Sequence, residues 1–295
     1  MKEALFYQKL AEKKVKCELC HQNCLINTNK RGLCGVRENQ EGILYTLVYG
    51  QVIAAHVDPI EKKPLYHFLP GTKSFSIATV GCNFRCAHCQ NADISQASKE
   101  GIFFATKQIP GEEMPPKQVV AKAIELKCPS ISYTYTEPTI FFEFAYDCMK
   151  LAKVEDLKNI WVTNGYTVQK ALVMAKPYLD AVNVDLKFFT DRNYRKICGA
   201  KLQPVLDNLV WYKKNNIWLE VTTLIIPSLN DSKEELTQIA KFIKDKLGAD
   251  TPWHVSAFWP TYQLIDFPPT PNETIFKAKE IGEKIGLKYV HPGNI

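Results

Sequence analysis

Phe75-Ser76-Ile77-Ala78-Thr79-Val80 runs directly into Gly81-Cys82-Asn83-Phe84-Arg85-Cys86-Ala87-His88-Cys89-Gln90-Asn91. An apolar run that meets a turn reads as a strand ending in a loop. The loop carries Cys82, Cys86 and Cys89 at C-x3-C-x2-C spacing. Three thiolates so spaced can hold three irons of a [4Fe-4S] cubane, which normally takes four cysteines. The fourth iron then stays open to another ligand. A structural zinc, with His88 or His67 as fourth ligand, is the competing reading. The position at a strand's carboxyl end favours the cluster, since structural zincs more often pin small irregular modules.

From this strand onward, β and α patterns alternate. Strands are expected at 74–80, 131–136, 159–163, 181–186, 217–225 and 253–258. Helices are expected near 115–127, 139–152, 167–176, 201–215, 231–246 and 271–285. Pro115-Pro116 suits a helix start, and Asp231 and Asn272 are candidate N-caps. Repeated βα units predict an α/β fold, a parallel sheet covered by helices. Six units are too few for an eight-fold barrel. In such folds, ligands bind beyond the carboxyl ends of the strands. The polar residues expected there are Cys82 to Cys89, Thr136 and Glu137, Thr163 and Asn164, Asp185 and Lys187, Thr222 and Thr223, and His254.

Upstream, residues 3–14 read as a short amphipathic helix. Cys17, Cys20, Cys24 and Cys34 follow at C-x2-C-x3-C-x9-C among turn residues, a knuckle that suits zinc or a second iron–sulfur cluster. Residues 43–49 and 51–57 flank Gly50 and read as a β-hairpin. Residues 62–71 read as a linker, dividing an N-terminal cysteine-rich module plus hairpin (1–70) from a core (71–295). Seven of the ten cysteines fall in two clusters, which points to metal binding in a reducing, cytoplasmic setting rather than a disulfide framework. Cys198 should lie near the mouth; Cys128 and Cys148 read as packing residues. A net charge of +6 over 295 residues permits an anionic ligand without demanding one. No apolar run is long enough for a membrane helix, and the N-terminus is not a secretory signal.

The loop Cys82–Asn91 resembles the signature of the radical S-adenosylmethionine (SAM) superfamily, in the branch of the glycyl-radical-enzyme activases such as pyruvate formate-lyase activating enzyme. Nearly the whole chain is similar to one subgroup, the AmmeMemoRadiSam system radical SAM enzymes. The similarity rests on Cys17-Glu18-Leu19-Cys20, Gly32-Leu33-Cys34-Gly35-Val36-Arg37, Tyr133-Thr134-Tyr135-Thr136-Glu137-Pro138-Thr139, Thr163-Asn164-Gly165-Tyr166, Asp185-Leu186-Lys187, Tyr194 to Ala200, Ile226 to Asp231 and Pro252 to Ser256. The resemblance implies a partial (β/α)6, TIM-like barrel with a cluster on Cys82, Cys86 and Cys89. It implies SAM bound to the open iron and cleaved to methionine and a 5′-deoxyadenosyl radical that takes hydrogen from a substrate. SAM contacts are implied at Thr136, Glu137, Thr163, Asn164, Asp185, Lys187, Thr222 and His254. Tyr135 and Thr136 stand where the superfamily has two glycines. Val162 stands where the activases have an aspartate, which leaves Lys187 to neutralise the methionyl carboxylate. The chain stops at Ile295, where the resemblance often continues into a cysteine-containing tail, so no tail metal site is expected.

Three functions compete. A radical SAM enzyme, reduced by a donor such as ferredoxin or flavodoxin, would act on a small molecule or a macromolecule, including as an activase on a partner protein. A metal-binding scaffold has no use for Asp185, Lys187 and His254 together. A nucleic-acid-modifying enzyme needs a basic stripe, and the lysines here are scattered.

Overall fold

The computed structural model describes residues 1–295. An eight-stranded sheet runs in the order Val290–Gly293, Trp253–Ala257, Trp218–Ile225, Ala181–Asp185, Lys158–Thr163, Ser130–Tyr133, Lys73–Ala78, Ala54–Pro59. All neighbours pair in parallel except the last two strands, which are antiparallel. Seven parallel strands with connecting helices make the partial TIM-like barrel expected. The six strands named from sequence all form, within three residues of the expected ends. The seventh, Val290–Gly293, follows helix Asn272–Ile285 and ends the sheet.

Strand alternation explains the two sides of the sheet. Phe75, Ile77, Ile131, Tyr133, Val182, Val184, Val221 and Val255 belong to the hydrophobic core under the helices. The intervening residues are polar yet buried, and they pair across the bore. Ser74 Oγ meets Ser132 Oγ at 2.6 Å, Thr222 donates to Asn183 Oδ1 at 2.9 Å, and His254 Nε2 meets Glu220 Oε2 at 2.7 Å.

The segment expected to be an inter-domain linker instead fills the floor of this bore. Pro64 O accepts from Asn183 Nδ2 at 2.8 Å, and the Tyr66 and His67 amides donate to Glu220 at 3.0 and 2.9 Å. Ile60 and Leu65 pack on Ile160 and Ala181. The segment runs from the Ala54–Pro59 edge across to His291, where His67 Nε2 meets His291 Nε2 at 2.8 Å. A boundary near residue 70 therefore falls inside the barrel, and one hydrophobic cluster includes Val15, Leu19, Val36 and Leu44 together with Val184 and Val255.

The N-terminal part differs from the expectation in two places. Residues 3–14 form short strands and a single 3₁₀ turn, since Tyr7–Lys9 pairs antiparallel with Val15–Cys17. The hairpin lies earlier: Arg37–Gln40 pairs with Ile43–Thr46 around Glu41-Gly42. Gly50 instead lets the chain turn from that hairpin toward Gln51–Val52, which pairs with Glu112–Glu113. Helix Lys233–Phe242 is capped by Ser232, whose hydroxyl accepts from Glu235 N, while Asp231 accepts from Ser228 N. Pro271, not Asn272, precedes the last helix.

Candidate active site

The strand Lys73–Ala78 delivers Cys82, Cys86 and Cys89 to one pocket at the carboxyl ends of the parallel strands. Two backbone hydrogen bonds shape the loop. Arg85 N and Ala87 N donate to Cys198 O and Ile197 O, each at 2.9 Å, so the loop is laced to the π-helical turn Tyr194–Cys198. The cavity holds about 360 Å³, within the range of small-molecule sites. Thr136, Glu137, Thr163, Asn164, Asp185, Lys187 and Thr222 line it with the three cysteines.

Their side chains are not equally available. Glu137 is fully buried and accepts from Thr139 N (3.0 Å), Thr139 Oγ1 (2.5 Å), Thr163 Oγ1 (2.8 Å) and Asn164 N (2.8 Å). Burial raises its pKa above the usual carboxylate value, and these donors offset only part of that rise. Glu137 thus clamps the ends of two strands, and the Thr163 hydroxyl is spent on it. Thr136 Oγ1 donates to Thr79 O (2.9 Å). Asn164 Nδ2 donates to Asn83 Oδ1 (2.7 Å), in the cysteine loop.

Asp185 and Lys187 line the cavity as a pair, with Nζ–Oδ2 at 2.8 Å. Burial disfavours the Lys187 charge. The Asp185 carboxylate and the Cys86 and Cys198 thiols more than compensate, so its pKa lies well above the ordinary lysine value. Asn230 holds the Lys187 carbonyl (2.8 Å) and also accepts from Ile226 N (2.6 Å), a tie beyond the simple turn expected there.

His254 is not in the pocket. It turns into the bore one level deeper, against Glu220, with the Tyr66 ring edge-on to it and the His291 ring tilted beside it. Ser256, two residues along the same strand, lines the pocket instead. Thr223 points the other way, accepting from Trp253 Nε1 (3.0 Å). His67 lies on the barrel floor and so cannot complete a site with Cys82, Cys86 and Cys89. His88 is 3% exposed, and neither ring nitrogen has a partner; burial, then the nearby Lys187 charge, pushes its pKa down to about 3. One of its nitrogens lies within 4.8 Å of the sulfurs of both Cys86 and Cys198. Cys198 is fully buried against the cysteine loop.

Tyr135, which stands at a superfamily glycine position, also lines the pocket, as does Lys63, which was not singled out by sequence. Lys63 Nζ bonds Asp58 Oδ2 (2.7 Å) and lies 4.3 Å from the Tyr135 ring centre; the Tyr135 hydroxyl donates to the same Asp58 oxygen. Tyr135 adopts φ +62°, a left-handed conformation that glycine takes without strain, and Asn91 donates to its carbonyl at 2.7 Å. No local pattern marks Lys63; only the folding of the 60–72 segment into the bore brings it here.

Cys17, Cys20, Cys24 and Cys34 gather around a second cavity, which Asn83 of the cysteine loop also lines. The pocket at the strand ends fits the cofactors of a radical SAM enzyme. Three thiols enter it from one loop, and a cation–carboxylate pair stands at hydrogen-bonding separation on its wall.

Residues 76–243 match the model of the radical SAM superfamily. An uncharacterised protein of Methanocaldococcus jannaschii is 48% identical over the full chain and 86% of its own length. A pyruvate formate-lyase-activating enzyme of Clostridium pasteurianum is 26% identical over 56% of this chain and 67% of its own. The fold is similar to a radical SAM methyltransferase from Sphaerobacter thermophilus (TM-score 0.58, 14% identity, 76% of this chain and 67% of that one). No helix is long and apolar enough to cross a membrane. The family implies a [4Fe-4S] cluster and SAM as cofactors, and the chain belongs to the radical SAM superfamily as an enzyme of that type.

Proposed function

We propose that Cys82, Cys86 and Cys89 hold the cluster and that SAM binds beside it, its methionyl end at Asp185 and Lys187. The observation that carries this reading is one pocket lined by all three loop cysteines and by that ion pair. When bound, the cluster supplies one electron to SAM, releasing methionine and a 5′-deoxyadenosyl radical. Lys187 offers its ammonium to the methionyl carboxylate, which Asp185 alone would repel. Thr136 and Tyr135 contribute through their backbone, since the Thr136 hydroxyl is bonded to Thr79 O. Asn164 fixes the cysteine loop through Asn83. Ser256 and Thr222 line the wall on the side of the later strands.

The substrate class we propose is a partner protein, with electrons drawn from a donor such as ferredoxin or flavodoxin. The similarity to a protein named for activating another enzyme supports a protein substrate.

Anaerobically reconstituted, dithionite-reduced protein should form 5′-deoxyadenosine and methionine from SAM, measured by mass spectrometry. Cys86→Ala should form none. Lys187→Ala should weaken SAM binding about 10- to 100-fold, the loss of one charge-assisted hydrogen bond. Absence of 5′-deoxyadenosine from the intact protein would sink the proposal.

A further inference from the structure

Cys17, Cys20, Cys24 and Cys34 line a cavity distinct from the SAM pocket, walled also by Arg37 and Asn83. A single tetrahedral zinc with Zn–S bonds of about 2.3 Å draws its sulfurs to about 3.8 Å from one another. Here no three of the four sulfurs lie within 4.8 Å of one another, although Cys86, His88 and Cys198 meet that limit elsewhere in the chain. The sulfurs of Cys82, Cys86 and Cys89 are also more widely spread than the limit. In a cubane each thiolate binds its own iron, so the sulfurs must stand further apart than around one ion. Both cysteine sets are thus spread beyond the separation that a single zinc ion imposes, as ligation of separate irons requires.

Two buried donors point the same way. Arg37 is 2% exposed, and its terminal nitrogens are committed to Glu143 (3.0 and 2.9 Å) and Leu5 O (2.8 Å). Its Nε has no partner, and neither does Nδ2 of Asn83, also 2% exposed. A buried unpaired N–H costs about 1–3 kcal/mol, so two of them lining one cavity call for an acceptor within it. The sulfides of a cluster are such acceptors, and hydrogen bonds to its sulfurs tune its potential.

The knuckle also abuts the radical-site loop. Gln22 Nε2 donates to Asn83 O at 2.9 Å, and Asn83 Oδ1 takes the Cys82 thiol at 3.8 Å. Cys34 O lies 2.9 Å from where a Cβ on Gly81 would stand.

We infer that Cys17, Cys20, Cys24 and Cys34 hold a second [4Fe-4S] cluster, with Arg37 and Asn83 donating to its sulfurs, and that it relays electrons to the Cys82–Cys89 site. One electron enters from the external donor and one leaves to that site, so the knuckle regains its starting oxidation state. The relay rests on the radical SAM reading; the identity of the metal does not.

The test is a variant with Cys82, Cys86 and Cys89 all changed to alanine, reconstituted anaerobically with iron and sulfide in the presence of zinc. It should bind one cubane of iron and sulfide per chain and show a cubane electron paramagnetic resonance signal on reduction. The intact protein should carry twice that iron. Equimolar zinc without iron, a two-iron cluster, or no metal would each overturn the assignment. Should the variant fail to fold, the intact protein decides: one cubane of iron, with or without zinc, refutes the second cluster. For the relay, the reduced intact protein should give a signal broadened relative to the summed signals of the triple variant and Cys17→Ala/Cys20→Ala. A simple sum would refute the relay. Failure of SAM cleavage alone would refute the proposed function and leave the second cluster standing.

Discussion

Glu137 closes the joint between two strand ends, with four hydrogen bonds converging on its carboxylate. The resemblance places it among the SAM contacts, yet its carboxylate is fully buried and serves Thr139, Thr163 and Asn164. An amide in its place turns an NH₂ toward groups that need acceptors. Glu137→Gln should therefore cost about 2 kcal/mol of stability, measured by urea unfolding under anaerobic conditions. His254 is the complementary case. Its strand was legible, but alternation along a strand says only which face a residue takes, not how deep in the bore it lies. The two-residue step from His254 to Ser256 decides between floor and pocket, and it depends on how the strands are staggered.

Among the elements, the joint between the knuckle and the first parallel strand is the most constrained. Gly81 adopts φ +101°, and an added Cβ would stand 2.8 Å from Val36 Cγ1 and 2.9 Å from Cys34 O. Both the backbone conformation and the contact exclude a side chain. Gly81→Ala should destabilise the protein by at least about 2 kcal/mol. It should also lower iron bound at both cysteine clusters, read by iron quantitation after anaerobic reconstitution. The six strands expected between residues 74 and 258 were legible because each is long enough to show its period, whereas Val290–Gly293 and Glu112–Glu113 were not. The short strands Tyr7–Lys9 and Val15–Cys17 were not, because two or three residues carry no period and pairing alone holds them.

At the scale of the molecule, the plug formed by residues 60–72 closes the bore and gathers three of the six histidines. Burial, then the charges of His254 and His67, pushes the His291 pKa down to about 4, against a weaker opposing pull from Glu220. The unfolded chain titrates near 6.5. His291 is therefore neutral in the fold, and the unfolded state binds the extra proton first as pH falls. Its contribution is fully present above about pH 6.5 and is lost as pH drops toward 4. The thermal midpoint should fall across that window, and His291→Asn should show a shallower fall. Equal slopes for the two proteins would refute this account.

The sequence by itself determined the βα alternation, the cysteine loop at the first parallel strand's carboxyl end, and the strand-end polar residues, because period and spacing are local properties. Only the tertiary structure decided which of those residues keep free polar groups in the pocket, since hydrogen-bond partners such as Glu137 for Thr163 come from distant segments. Likewise, only folding showed residues 60–72 as a barrel floor rather than a linker, because their partners Asn183, Glu220 and His291 lie more than a hundred residues away. The three cysteines of the opening motif enter one pocket at the strand ends. What the fold added is the neighbouring knuckle, whose four sulfurs and unpaired donors sit against that loop's outer wall.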